Sequence, residues 1–236
     1  MNNILELPQL TAKFSYDLPK NEVVLVSGGN PPDKNWLLEV SNNRTIYCAD
    51  HGIDSCKQAG IIPFQLIGDG DSATKEAWSW AIEQNVKVTK VPAKKDVTDT
   101  QLALQIIDDK YSSSTIIFTG AWGGRFDHAF SSIFSFKGML KDNFRGCIAD
   151  EREIMFFLQD EENITLNLKQ QPKAISLLPL TGICSGVSIN GVYWPLEQVM
   201  LNNNLPYAVS NEVKNLENTI WISQTQGFLG VYLYFE

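Results

Sequence analysis

Through the first 150 residues the apolar positions come in short unbroken runs, at 22–27, 45–49, 64–67, 86–91 and 115–119. A run without alternation suits a strand buried on both faces, as in a parallel sheet. Helical spacing predicts helices between these runs, at 34–40, 53–59, 74–84, 99–110 and 126–140. Gly60 stops the second, and Thr98-Asp99-Thr100-Gln101 opens the fourth as a capping box. The alternation predicts an α/β domain over residues 1–150 with a mostly parallel, Rossmann-like sheet. Within it, residues 1–20, which carry Pro8 and Pro19, read as an irregular arm.

After Asp150 the pattern changes. Short strands are predicted at 154–158, 164–168, 174–178, 187–189, 219–222 and 231–234, separated by turn residues and with no helix between them. That pattern predicts a small antiparallel β-sandwich domain over residues 151–236.

Composition narrows the partners. A length of 236 residues accommodates one large domain or two ordinary ones, and 44% apolar with 19% charged residues is a globular balance. The net charge of −8 argues against broad attraction to nucleic acid or an anionic membrane. An anionic substrate would therefore be met by local Lys or Arg and by a divalent metal. Cys48, Cys56, Cys147 and Cys184 form no C-x-x-C pair, which suits reduced thiols. The N-terminus lacks a signal-peptide pattern and no stretch has the length of a bilayer span, so the chain reads as soluble and cytoplasmic.

The chemistry sits in loops that follow the strands. Gly68-Asp69-Gly70-Asp71-Ser72 places two acids one residue apart behind an apolar run. Mg²⁺ takes one or two such carboxylates and completes its shell with water and phosphate oxygens. Asp99, in the first turn of a helix, is positioned to add a third, with Asp96 one turn upstream. Either motif alone reads more readily as a turn or as an acid favoured by its helix dipole than as a metal site. Together, at strand ends of a doubly wound sheet, they point to metal. Gly120-Ala121-Trp122-Gly123-Gly124-Arg125 joins a strand to a helix, so its backbone and the Arg125 fork suit an anion, although it lacks the Walker ending. Taken singly it is as well a tight turn with a solvated arginine. His51 and His128, the only histidines, have no zinc spacing. Trp194, Trp221, Tyr232 and Tyr234 suit either stacking on an aromatic substrate or a sandwich core.

In order along the chain, Ala49-Asp50-x-Gly52, Gly68-Asp69-x-Asp71-Ser72, Lys95-Asp96-x-Thr98-Asp99 and Gly120-Ala121-x-Gly123-Gly124-Arg125-x-Asp127-His128 closely resemble thiamine pyrophosphokinase. The likeness continues in Leu178-Pro179-Leu180-Thr181, Gly191-Val192-Tyr193-Trp194-Pro195-Leu196 and Val209-Ser210-Asn211-Glu212, and so runs from about residue 22 to the end. The resemblance implies ATP and thiamine as substrates, thiamine diphosphate and AMP as products, and a homodimer with the thiamine pocket between subunits. It implies Mg²⁺ on Asp69, Asp71 and Asp99, with Asp50 and Asp96 nearby. It also implies ATP contacts from Arg125, Gly123 and Gly124, and thiamine placed by Asp127, Ser210, Asn211 and Trp194. Asp96 or Asp99 would accept the alcohol proton.

Two positions depart from the family pattern. His51 stands for a glycine, which puts a side chain where backbone passes close to ligand. Gly70 stands for an aromatic residue, which loosens the acidic loop. Two other functions compete: a pyrophosphokinase for another heterocyclic alcohol, such as a pterin carbinol, and a non-catalytic homologue whose acids hold a structural Ca²⁺.

Overall fold

The computed structural model describes residues 2–90, 96–141, 143–214 and 217–236. The chain divides into two units, Pro19–Asp150 on one side and Met1–Leu18 with Glu151–Glu236 on the other. The first strands, β1 (Ile4–Glu6) and β2 (Leu10–Phe14), belong to the second of these.

The unit Pro19–Asp150 alternates strand and helix: β3 (Glu22–Val26), α1 (Lys34–Ser41), β4 (Thr45–Ala49), α2 (Gly52–Ala59), β5 (Gln65–Gly68), α3 (Lys75–Glu83), β6 (Lys87–Lys90), α4 (Asp99–Lys110), β7 (Ser114–Thr119), α5 (Phe126–Met139) and β8 (Phe144–Ala149). Its strands pair in parallel in the order β8-β7-β3-β4-β5-β6. Every residue of β5, β7 and β8 is buried, as the unbroken apolar runs require of strands covered on both faces. The chain steps outward from β3 to β6 and then returns to β7 on the other side of β3. The winding therefore reverses between β3 and β7, and ligands of open parallel sheets bind at the carboxyl ends of strands at such a reversal.

Backbone packs on backbone at that point. Gly29 N donates to Gly120 O at 2.7 Å, and Asn30 N donates to Trp122 O at the same distance. Gly120 sits at φ 67°, and a Cβ there would lie 2.2 Å from Ser27 O. Only glycine lets β3 and β7 end this close together.

Side chains close the starts of three helices. Asp33 accepts from Asn35 N and Trp36 N for α1, Thr74 from Ala77 N for α3, and Thr98 with Gln101 forms the anticipated capping box of α4. The strand expected over 86–91 is β6; Val91 lies outside the described residues, as does Lys95. β8 carries no prior expectation, because Arg145 and Gly146 interrupt its apolar run.

The other unit holds two antiparallel layers. One has the order β1-β2-β10-β14-β12-β13, the other β11-β15-β9. Here β9 is Glu153–Leu158, β10 Asn163–Leu168, β11 Ala174–Pro179, β12 Ile183–Asn190, β13 Leu196–Asn202, β14 Thr219–Ser223 and β15 Leu229–Tyr234. Alternate residues of β10 and β14 are buried (Ile164, Leu166, Ile220 and Ile222), and Phe14 meets Phe156 edge-on at 5.9 Å between the layers. A sandwich core needs this one-sided burial.

The N-terminal segment corrects the expected irregular arm. Leu10, Ala12 and Phe14 alternate inward, and β2 pairs with β10 through Ala12 opposite Leu166. The two prolines flank that alternation without breaking it, because Pro8 precedes β2 and Pro19 follows it. Residues 2–18 thus pack with the sandwich, against their assignment to the α/β domain. Among the described residues no helix is long and apolar enough to cross a membrane, and all four cysteines are free and buried.

Candidate active site

A cleft of about 520 Å³ opens at the carboxyl edge of the parallel sheet. The β3 end contributes Ser27, Gly28 and Gly29 to its wall, and the β4 end contributes Asp50. Asp69, Asp71 and Ser72 follow β5, and Thr98, Asp99 and Thr100 come from the start of α4. Gly120, Gly123, Gly124 and Arg125 follow β7, and α5 supplies His128 and Ser132. A smaller cleft of about 210 Å³ shares Thr98, Thr100, His128 and Ser132 and adds Asp127 and Ser131.

Three carboxylates come together in it. Asp50, Asp69 and Asp71 each offer an oxygen within 4.8 Å of the others'. The sequence grouped Asp69 and Asp71 with Asp99; in the structure Asp50 joins them, and Asp99 lines the same cleft and acts on Asp50 through its charge. The cause is backbone: Asp50 adopts φ 48° directly after β4, with its N–H bonded to Ile67 O at 2.8 Å, which lays it beside the end of β5. Asp99 lines the same cleft, outside the triad, and Asp96 is exposed and does not line it.

The electrostatics of Asp50 are those of a carboxylate short of positive charge. Burial pushes its carboxyl above the usual range, the Ser72 hydroxyl pulls it back, and Asp99, Asp69 and Asp71 push it up further. Ser72 Oγ donates to Asp50 Oδ2. Asp50 Oδ1 is buried and accepts no hydrogen bond. A buried acceptor without a partner is costly, so the site fits a hard divalent cation.

Both departures from the family pattern have local explanations. His51 does not line the cleft, and its ring places Nδ1 3.1 Å from Ser72 O and 3.3 Å from Asp54 Oδ2. Gly70 lies at φ 81°, and a Cβ there would stand 3.2 Å from the Trp78 ring. An indole from α3 packs where a side chain at 70 would point, so the loop is covered by Trp78 and not simply loosened.

Arg125 and Asp127 pair with each other. Arg125 Nε donates to Asp127 Oδ1 at 3.1 Å and Nη2 to Oδ2 at 2.5 Å, and His128 N also donates to Oδ1 at 3.0 Å. This fork raises the arginine's pKa and holds the Asp127 carboxyl below its ordinary value, mainly through the hydrogen bonds between them. Both groups are exposed, so the pair adds little to stability.

In the sandwich unit Asn211 is largely committed to backbone. Its Oδ1 accepts from Trp194 N at 3.2 Å and Glu212 N at 3.0 Å, and its Nδ2 donates to Trp194 O at 2.7 Å. These bonds hold the loop on which Trp194 is 61% exposed. Ser210, at φ 57°, donates its N–H to Ser176 Oγ at 3.0 Å. Trp221 and Tyr234 are partly exposed on their strands, whereas Tyr232 is half-buried and donates its hydroxyl to Glu153 at 2.6 Å.

The sequence did not single out Gly28 and Gly29 as cleft residues, although they end a buried strand as the acidic loops do. It also passed over Ser132, which helical spacing places one turn beyond His128.

An acid-lined cleft with glycine-rich walls, at the winding reversal of a parallel sheet, suits a nucleotide-dependent transferase of the phosphoryl-transfer class. Residues 37–148 match the thiamin pyrophosphokinase catalytic domain, and residues 161–229 match its vitamin B1 binding domain. The chain belongs to the thiamine pyrophosphokinase family. It is 30% identical over 202 residues to the thiamine pyrophosphokinase of Bacillus subtilis (strain 168), covering 83% of this chain and 91% of that one. The fold is shared with the crystal structure of a thiamine pyrophosphokinase from Bacillus subtilis, with a TM-score of 0.80 and 23% identity over 91% of this chain and 99% of that one. It is also shared with that from Geobacillus thermodenitrificans, with a TM-score of 0.77 and 21% identity over 91% and 98%.

Proposed function

We propose that this chain transfers the pyrophosphoryl group of ATP to the hydroxyethyl oxygen of thiamine, giving thiamine diphosphate and AMP. The observation that carries this reading is the triad of Asp50, Asp69 and Asp71 at the winding reversal, in a chain of this family. Mg²⁺ would be held by those three acids, and when bound it supplies neutralisation of phosphate charge. The unpartnered Asp50 Oδ1 supports that assignment.

The remaining residues position and neutralise. Gly123, Gly124 and Arg125 face the cleft and suit the phosphate oxygens of ATP. The alcohol oxygen attacks the β-phosphorus in line, a new O–P bond forms, and the bond to the α-phosphate oxygen breaks to release AMP. Asp99 accepts the alcohol proton, since of Asp96 and Asp99 it is the one that lines the cleft. Arg125 stabilises charge that develops on the transferred group. The residues assigned to thiamine are Asp127 in the α/β unit and, in the sandwich unit, Ser210 and the exposed indole of Trp194, whose loop Asn211 holds. The chain acts as a homodimer in the cytoplasm, a setting that four free thiols suit.

The test is product identity. Purified chain with ATP, Mg²⁺ and thiamine should release AMP and thiamine diphosphate in equal amounts, resolved by chromatography. Turnover with a pterin carbinol but not with thiamine would overturn the substrate assignment. Metal-dependent melting without any turnover would overturn the reaction.

A further inference from the structure

The loop that carries two of the three triad acids is tied down from outside the cleft. His51 occupies the N-cap of α2, yet its ring makes no bond to the free N–H groups of that helix. Nδ1 reaches instead to Ser72 O at 3.1 Å and Asp54 Oδ2 at 3.3 Å. Both partners only accept, so Nδ1 carries the hydrogen. Asp54, one turn on, accepts from Thr74 N at 3.1 Å and from Thr74 Oγ1 at 2.5 Å. Thr74 in turn caps α3 by accepting from Ala77 N at 3.2 Å. The first turn of α2 therefore grips the β5–α3 loop at Ser72 and Thr74, just beyond Asp69 and Asp71. The N-cap of that turn, His51, directly follows Asp50. Neither His51 nor Asp54 lines the cleft.

We propose that His51 and Asp54 are positioning residues, a clamp from α2 that holds Asp69 and Asp71 at the separation from Asp50 needed for all three to share one divalent ion. The clamp rests on the reading of the triad as the divalent-ion site. Ser72 couples the two halves, because its carbonyl is held by His51 while its hydroxyl donates to Asp50. Freeing Ser72 lets the acids spread under their mutual repulsion, and the ion then has to reassemble them.

The test is a Mn²⁺ titration of the full chain, followed by the electron paramagnetic resonance of free Mn²⁺. His51→Ala should weaken binding by roughly fivefold to tenfold, the size of one lost net hydrogen bond. The Nδ2 of His51→Asn falls close to the position of His Nδ1 and should restore affinity to within about twofold of wild type, at the precision of a net hydrogen-bond energy. His51→Gln, whose amide reaches toward the Nε2 position, should not. Melting in EDTA establishes that each variant is folded, which separates lost affinity from lost structure. Wild-type affinity in His51→Ala would overturn the clamp, as would failure of His51→Asn to rescue a weakened site. Equal Mn²⁺ binding by wild type and Asp71→Asn, or none by wild type, would overturn the ion site itself and the clamp with it. In steady state the Mg²⁺ concentration for half-maximal rate should rise in His51→Ala while kcat at saturating Mg²⁺ stays within about threefold, as expected when a uniform binding contribution is lost.

Discussion

Replacing Asp50 by Asn keeps the shape of the side chain and its acceptor for the Ser72 hydroxyl but removes one of three clustered charges. At the 4.8 Å limit of the cluster, Coulomb's law gives about 0.9 kcal/mol of repulsion per pair in water and about 3.5 kcal/mol at an effective dielectric constant near 20. Asp50 is only part-buried, so solvent screening puts the sum over Asp69 and Asp71 near the lower limit, about 2 kcal/mol, and Asp99 adds to it in the same sense. In EDTA at neutral pH, Asp50→Asn should therefore melt higher than wild type by roughly 5 °C. With Mg²⁺ at a hundred times its dissociation constant, wild type gains about 2.7 kcal/mol, which the variant should largely forgo. The order of melting temperatures should then reverse. Burial and neighbouring acids raise the folded-state pKa of Asp50, so the unfolded chain ionises first and stability is lost as pH rises from the ordinary carboxylate range through the raised folded-state pKa. The advantage of the variant should shrink as pH falls and Asp50 becomes protonated in both states. Differential scanning calorimetry measures all of this. A variant less stable than wild type in EDTA, or one that gains as much from Mg²⁺, would refute the account of Asp50 as a carboxylate awaiting a cation.

The other outcomes are simpler to read. Asp71→Asn and Asp99→Asn should each lower turnover more than ~100-fold, the loss typical of an electrostatic stabiliser, with product formation followed by chromatography. Near wild-type turnover in both would remove the acids from the mechanism. Gly120→Ala must place a Cβ 2.2 Å from the Ser27 carbonyl oxygen in a left-handed conformation, and both objections are backbone. It should cost roughly 3 kcal/mol or more in urea unfolding, and a loss under ~1 kcal/mol would mean that β3 and β7 end less tightly than described.

Much of the fold follows from local pattern. Unbroken apolar runs such as 22–27 and 115–119 are buried parallel strands, and the capping box at Thr98 forms as its spacing requires, because caps and burial depend on neighbours a few residues away. The change of pattern after Asp150 likewise marks the change to antiparallel layers. The motifs named the acids, the glycine loop and the family for the same reason, since each lies within one strand-end loop.

Which groups meet was decided by the tertiary structure. Asp50 joins Asp69 and Asp71 because β4 and β5 are neighbours in the sheet and because the backbone at Asp50 turns left-handed. Asp99, on a helix start, stays outside the triad. His51 gains the Ser72 carbonyl from a loop 21 residues further on. β2 finds its strand partner in β10, some 150 residues away. A hydrophobic period fixes which face of an element is buried. The order of strands and the sign of φ at single residues fix which side chains are brought within a few ångströms, and those were set only by the folded chain.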